Sequence, residues 1–105
     1  MANSFGNDVL VQAEDPVGAA AFYVEQLGFE VTDVTPNLVS LHGEYINLHI
    51  ERGLPIGPVL EVMVASVDEA KARLKKCGCK VIKDEPRYPR CYIQDPFGVI
   101  YNLKE

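Results

Sequence analysis

Leu27-Gly28-Phe29-Glu30-Val31 closes a helix on a glycine and opens a strand, and Cys77-Gly78-Cys79-Lys80-Val81 does the same about fifty residues later. Val31 and Val81, and Pro36 and Pro86, keep the same spacing. A chain of 105 residues that repeats itself once consists of two like modules, neither able to bury a core alone. Such a duplication also predicts a site between the copies.

Working outward from these two stretches, each helix has its own start signal. Asp15 is an N-cap, and Pro16 takes the first helical position, where its missing N–H is not needed. Ser66-x-x-Glu69 is a capping box. The first helix is expected to bury Ala19, Phe22, Tyr23 and Leu27, and the second Ala70, Leu74 and Cys77. Alternating apolar residues predict strands over 8–13, 30–34, 38–42, 45–51, 59–65, 80–83, 91–94 and 99–104. Pro36-Asn37, Gly43-Glu44 and Asp95-Pro96-Phe97-Gly98 supply turns between strands. The pattern is βαβββ, twice: an α+β fold whose duplicated modules form a curved mixed sheet with helices on the outer face. Module one covers about 8–52 and module two about 58–105, joined by the Gly- and Pro-rich stretch Arg52–Pro58 within a single domain.

Composition excludes several function classes. A net charge of −5 argues against a nucleic-acid binder and weakly favours cationic ligands. Lys71, Arg73, Lys75 and Lys76 read as solvated charges complementing the second helix's dipole. No apolar run is long enough to span a membrane, and Met1–Asp8 lacks the look of a secretion signal. Three cysteines argue against a disulfide framework and fit the reducing cytoplasm, with Cys77 and Cys79 flanking a helix-ending glycine rather than clipping a metal.

Strand alternation assigns the faces. Ile46, Leu48 and Ile50 oppose Tyr45, Asn47, His49 and Glu51; Leu60, Val62 and Val64 oppose Val59, Glu61 and Met63; Tyr101 and Leu103 oppose Ile100, Asn102 and Lys104. The aliphatic face packs on the helices, and the mixed polar and aromatic face suits the lining of a cup. Cys91 shares the helix side with Ile93 and reads as a small core residue. His49 is expected in the cup, bonded to a ligand or to water, and His42 at the surface. Ser4, Ser40 and Ser66 lack a nucleophile elbow, so nothing indicates nucleophilic catalysis. The loop Lys83–Arg90, with Arg87, Tyr88 and Arg90, reads either as a lip over the cup or as an ordinary solvated loop.

Asp15-Pro16-(x5)-Phe22-Tyr23-(x3)-Leu27-Gly28-Phe29-Glu30-Val31 resembles the first helix-to-strand segment of the vicinal oxygen chelate superfamily, which holds glyoxalase I, bleomycin resistance proteins and extradiol dioxygenases. Tyr92-Ile93-Gln94-Asp95-Pro96-Phe97-Gly98-Val99-Ile100-Tyr101-Asn102-Leu103 is similar to its closing segment. Metal-dependent members carry one ligand in the first and one in the last strand of each module. By that resemblance the positions fall on Asp8, Asn47, Val59 and Asn102. None keeps the family's usual residue, and Val59 offers no donor at all, so the resemblance implies no classical metal and no cofactor.

What it implies is a metal-free, homodimeric binding protein of the bleomycin-resistance type, connected with antibiotic resistance. A small cationic or aromatic ligand would lie in a cup lined by Asp8, Tyr45, Asn47, His49, Val59, Glu61, Tyr92 and Asn102, with Glu51 and Phe97 as further candidates. The missing Trp speaks against bleomycin itself. Two alternatives stay open. One is a lyase, isomerase or dioxygenase with a displaced, weakly bound divalent metal, or with Asp8 or His49 as a metal-free acid/base. The other is a face that serves only as a dimer interface.

Overall fold

A computed structural model of the chain describes residues 3–85 and 90–105, so Arg87 and Tyr88 of the expected lip lie outside the described residues. It falls into two units: residues 7–58, and residues 59–105 with the N-terminal residues up to Gly6. The first contains most of β1 (Ser4–Ala13), then α1 (Pro16–Leu27), β2 (Glu30–Val34), β3 (Leu38–His42) and β4 (Asn47–Arg52). The second contains most of β5 (Ile56–Met63), then α2 (Val67–Lys76), β6 (Lys80–Glu85), β7 (Arg90–Gln94) and β8 (Ile100–Lys104). The βαβββ order is therefore present twice, and the fold is α+β.

Each unit carries the same sheet. In the first the order is β2-β3-β4-β1, with β1 parallel to β4 and the other pairs antiparallel. In the second it is β5-β8-β7-β6, with β5 parallel to β8. A parallel pair needs a crossover, and the helix after the first strand of each unit supplies it. α1 lies against β3 and β4, and α2 against β8 and β6.

Local chemistry sets the helix ends. Asp15 Oδ1 accepts the Gly18 N–H at 3.0 Å, and Ser66 Oγ accepts the Glu69 N–H at 3.2 Å. A cap of this kind is worth about 1 kcal/mol. The exposed Val67 N–H is taken by Glu105 Oε2 at 3.1 Å, which ties the chain's last residue to the start of α2. At the other end of α1, Gly28 turns left-handed at φ 79°, and the Phe29 N–H reaches back to Tyr23 O.

The core of the first unit is Val9, Ala20, Val39, Leu41, Leu48 and Ile50, and that of the second is Val62, Val64, Ala70, Cys91, Ile93 and Leu103. Leu48, Ile50, Cys91 and Ile93 lie where strand alternation puts them. The helices differ from expectation. α1 buries Pro16 and Ala20, while Phe22 and Leu27 are exposed. Ala19 and Tyr23 are half-buried, and the stripe is shifted toward Pro16 and Ala20 because it follows the small residues that let α1 approach the sheet rather than the largest apolar ones. In α2 Ala70 and Leu74 pack on the core as expected, but Cys77 is the exposed C-cap, and Val67 and Cys79 pack there in its place. β4 begins at Asn47, which leaves Tyr45 in the preceding turn.

Gly57 combines a positive φ of 114° with crowding, since an added Cβ would lie 3.0 Å from Leu10 O. Gly28 also has a positive φ, 79°, and nothing within 4 Å. We therefore expect Gly28→Ala to lower stability by about 1 kcal/mol, from the left-handed conformation alone. Gly57→Ala should cost roughly twice that or more, since strain and collision add. Urea unfolding midpoints at a common m-value check the ranking.

Candidate functional site

Turning away from α1, the first unit's sheet presents Asp8, Leu10 and Gln12 from β1, Leu38, Ser40 and His42 from β3, and Asn47, His49 and Glu51 from β4. Register brings six of them together: Asp8 stands opposite Asn47, Leu10 opposite His49, Ser40 opposite His49, and His42 opposite Asn47. The side chains then join in one row. His49 Nε2 lies 2.9 Å from Asp8 Oδ1, Ser40 Oγ lies 2.9 Å from His49 Nδ1, and Asn47 Nδ2 donates to Asp8 Oδ1 at 3.2 Å. His42 Nδ1 closes the row on Asn47 Oδ1 at 2.9 Å.

The proton positions follow from what each group can do. An ionised Asp8 only accepts, so the hydrogen between it and His49 belongs to Nε2. In the neutral ring Nδ1 is then an acceptor and takes the Ser40 hydroxyl hydrogen. Asn47 gives its amide hydrogen to Asp8, so its oxygen accepts from His42 Nδ1–H. Every link is satisfied, and His49 is oriented from both sides. The arrangement can hold a polar ligand group, or pass a proton between Ser40 and His49 while Asp8 stabilises the cation formed.

The pair at its centre is half-open, with side-chain exposures of 31% for His49 and 42% for Asp8. Screening keeps such a pair below about 1 kcal/mol. Asp8→Asn and His49→Gln are therefore expected to stay within about 1 kcal/mol of the parent protein in denaturant unfolding. A loss near 3 kcal/mol would instead mark a buried pair.

The second unit's corresponding face is different. Val59 and Tyr92 are 1% exposed, and Ile100 is also buried. Glu61 stands opposite Asn102, and its carboxylate meets Lys104 Nζ at 3.7 Å. Asn102 Oδ1 is buried and has no hydrogen-bond partner among the described residues. Lys83 Nζ lies 5.9 Å over the Tyr92 ring. Tyr45 is exposed in the turn before β4 and shares a shallow recess with Leu27, Gly28 and Phe29, apart from the hydrogen-bonded row.

Comparing strand registers also revises one position. Asp8 pairs with Asn47 and Val59 with Ile100, so two residues further along the units carry His49 and Asn102. His49, not Asn47, is the counterpart of Asn102. The four positions then read Asp8, His49, Val59 and Asn102: one carboxylate, one imidazole, one amide and a hydrocarbon. In the first unit the two donors already bond each other, and in the second a hydrocarbon and an amide offer no strong donor. Neither unit's pair fits the metal of the superfamily's metal-dependent members.

Ser40, set aside in the sequence for want of a nucleophile elbow, and His42, expected at the surface and exposed there, both join the row. The signal was present: with Val39 and Leu41 apolar, alternation through β3 puts Leu38, Ser40 and His42 on the same face as each other, and the Gly43-Glu44 turn folds that face beside Asn47 and His49.

On the α2 side of the second unit, a pocket of about 290 Å³ is bordered by Phe5, Leu74, Cys79, Asp95, Tyr101 and Leu103. Burial pushes the Cys79 thiol up, with smaller contributions from Asp95 and Cys77. Burial alone would raise Asp95 too, but the Tyr101 hydroxyl at 2.9 Å and the amides of Phe97, Val99 and Gly98 outweigh it and hold its carboxyl below the ordinary range. The same Asp95 hydrogen bond, then burial, raises Tyr101 above its usual value. A lowered carboxylate gives stability that is present above about pH 4 and lost as acid protonates it. A raised phenol gives stability that is present below about pH 10 and lost as base removes its proton. Tyr101→Phe should therefore reduce stability most between these limits and flatten both flanks of the stability-versus-pH curve, as measured by thermal unfolding from pH 3 to about pH 11.

The sequence matches no protein-family model and no curated protein. Solved structures do resemble it. A glyoxalase/bleomycin resistance protein/dioxygenase superfamily member from Vibrio splendidus 12B01 is 18% identical, with 95% of this chain and 97% of that one covered and a TM-score of 0.63. A hypothetical protein from Bacillus halodurans C-125 is 17% identical over 98% of this chain and 94% of that one, with a TM-score of 0.63. Homoprotocatechuate 2,3-dioxygenase from Brevibacterium fuscum is 22% identical, with 98% of this chain and 37% of that one covered and a TM-score of 0.65. Together with the duplicated βαβββ units, these likenesses show that the chain has the vicinal oxygen chelate fold. Among the described residues, no helix is long and apolar enough to cross a membrane.

Proposed function

We propose that this protein binds a small molecule on the polar face of its first unit, without a classical metal, as a cytoplasmic homodimer. The observation that carries the reading is the row Ser40–His49–Asp8–Asn47–His42, pre-organised by its own hydrogen bonds and half-open to solvent. Pre-organised polar groups hold a ligand at low ordering cost. Asp8 and Glu51 on the same face, with a net charge of −5, favour a cationic or aromatic-cationic ligand over an anionic one. Free thiols at Cys77, Cys79 and Cys91 fit a reducing compartment. A role in antibiotic resistance of the bleomycin-resistance kind would be sequestration of such a ligand.

A second reading is favoured by one feature of the same row. Asp8 orients His49 while Ser40 touches its other nitrogen, which is the geometry of a positioned general base. On that reading the protein is a metal-free lyase or isomerase, with His49 moving the proton through Ser40.

A thermal-shift screen of flat cationic, neutral and anionic compounds, with Zn, Ni, Fe and Mn salts as separate wells, tests the proposal. Cationic hits whose shift falls at least tenfold in apparent affinity in Asp8→Asn and His49→Gln support binding at the row. A metal that shifts the parent protein while no organic compound does would overturn it. Turnover of a hit, abolished in His49→Gln with binding retained, would decide for the second reading.

A further inference from the structure

Three members of the row stand in an order with a chemistry of its own: a hydroxyl, an imidazole and a carboxylate. Ser40 and His49 are direct cross-strand partners in the β3–β4 pair. Such partners hold their Cβ atoms about 5 Å apart, which suits one hydrogen bond between a short side chain and a ring. Ser40 Oγ lies 2.9 Å from His49 Nδ1, and Asp8 Oδ1 lies 2.9 Å from Nε2 on the far side of the ring. With the Nε2 hydrogen turned to Asp8, Nδ1 presents the lone pair that can take the Ser40 proton. Serine hydrolases use the two ring nitrogens the other way round. The nitrogens belong to one conjugated ring, so the exchange leaves the roles of base and orienting carboxylate intact.

Other hydroxyls are spent elsewhere. Thr32 donates to Ser40 O, Thr35 to Leu38 O and Tyr101 to Asp95, while Ser66 caps α2. Ser40 alone among them meets an imidazole. It is half-buried, and the His49–Asp8 pair beside it is open enough for a small substrate to reach.

We infer that Ser40 is a nucleophile that accepts an acyl group from a reactive carboxylic ester, with His49 as its general base and Asp8 holding His49 in position. The inference rests on the open polar face of the proposed function and adds a reaction to it. Oγ adds to the ester carbonyl as its proton passes to His49 Nδ1. The bond from the carbonyl carbon to the leaving oxygen then breaks, and the imidazolium returns the proton to that oxygen. Water, deprotonated by the same Nδ1, adds to the Ser40 ester and releases the carboxylic acid and the free hydroxyl.

The surroundings narrow the substrate class. β3 lies between β2 and β4, whose ladders take up its amides, so no loop of free N–H groups stabilises the oxyanion. Attack then depends on a good leaving group, which points to phenyl-type esters rather than amides. Asp33 stands opposite Ser40, and Asp8 and Glu51 share the face, so cationic and neutral esters are favoured over anionic ones.

The test treats the full chain with p-nitrophenyl acetate and, separately, with a neutral alkyl fluorophosphonate, from which Oγ displaces fluoride to leave a stable adduct. Peptide mass spectrometry locates the transferred group. The expected result is a phosphonyl group on Ser40, and p-nitrophenolate release slower by about a hundredfold or more in Ser40→Ala and His49→Gln. Asp8→Asn should slow the maximal labelling rate by about tenfold or more without moving the half-saturating concentration of the neutral probe. Among p-nitrophenyl esters with a trimethylammonium, a neutral or a carboxylate tail, the first should react fastest, and a preference for the last would overturn the substrate class. Labels confined to the exposed Cys77 or to lysines, or turnover undiminished in Ser40→Ala, would overturn the nucleophile. The adduct map of the parent decides even if a variant unfolds. No label on Ser40 while cationic compounds still stabilise the parent would end this inference and leave ligand binding standing; loss of both would end both.

Discussion

The hydrogen-bonded row depends on the register of β1 against β4. These strands run parallel, with Asp8 opposite Asn47 and Val9 opposite Leu48. Because side chains alternate, a slip of one residue would turn Asp8 into the core and Val9 into water. The slip is prevented by the core itself, since Val9, Leu48 and Ile50 must all face α1. The hydrophobic side of the sheet thus fixes the polar side. The Asp8–His49 contact, weak as a source of stability, is placed by burial on the opposite face.

Duplication explains how such a site could be elaborated without endangering the fold. Both units solve the same structural problem with the same strand order and a capped crossover helix. The sheet faces turned away from their helices have diverged in opposite directions. The first unit keeps a connected polar row, while the second places Val59, Tyr92 and Ile100 at the matching positions and buries them. The register of the second unit was what identified His49 as the counterpart of Asn102, a correspondence hidden in the sequence because both strands also offer an asparagine nearby.

The helices have diverged as well, and for them packing and composition disagree in an informative way. α2 is amphipathic and its exposed side is charged. α1 has no polar side of any width, and the sheet beneath fully buries only Pro16 and Ala20. A sequence pattern of apolar residues says that a surface will be buried. It does not say whether the chain's own sheet or another molecule does the burying.

Much of the fold was legible in the sequence because its determinants are local. Asp15-Pro16 and Ser66-x-x-Glu69 start the helices, Gly28 ends the first with a conformation that other residues resist, and Asp95-Pro96-Phe97-Gly98 makes the last turn, its Asp95 side chain accepting the Phe97 and Val99 amides. Alternation likewise placed Leu48, Ile50, Cys91 and Ile93 in the core, since period two is a property of the strand alone. What only the tertiary structure decided was which residues meet. Asp8 reaches Asn47 and His49 across 39 and 41 residues of chain, and Ser40 and His42 enter the row through cross-strand pairing. No local preference encodes such distances, because they follow from the pairing of whole strands. The same holds for α1: its apolar composition was plain in the sequence, but that Phe22 and Leu27 stay outside followed from how closely the small residues let the helix approach its sheet.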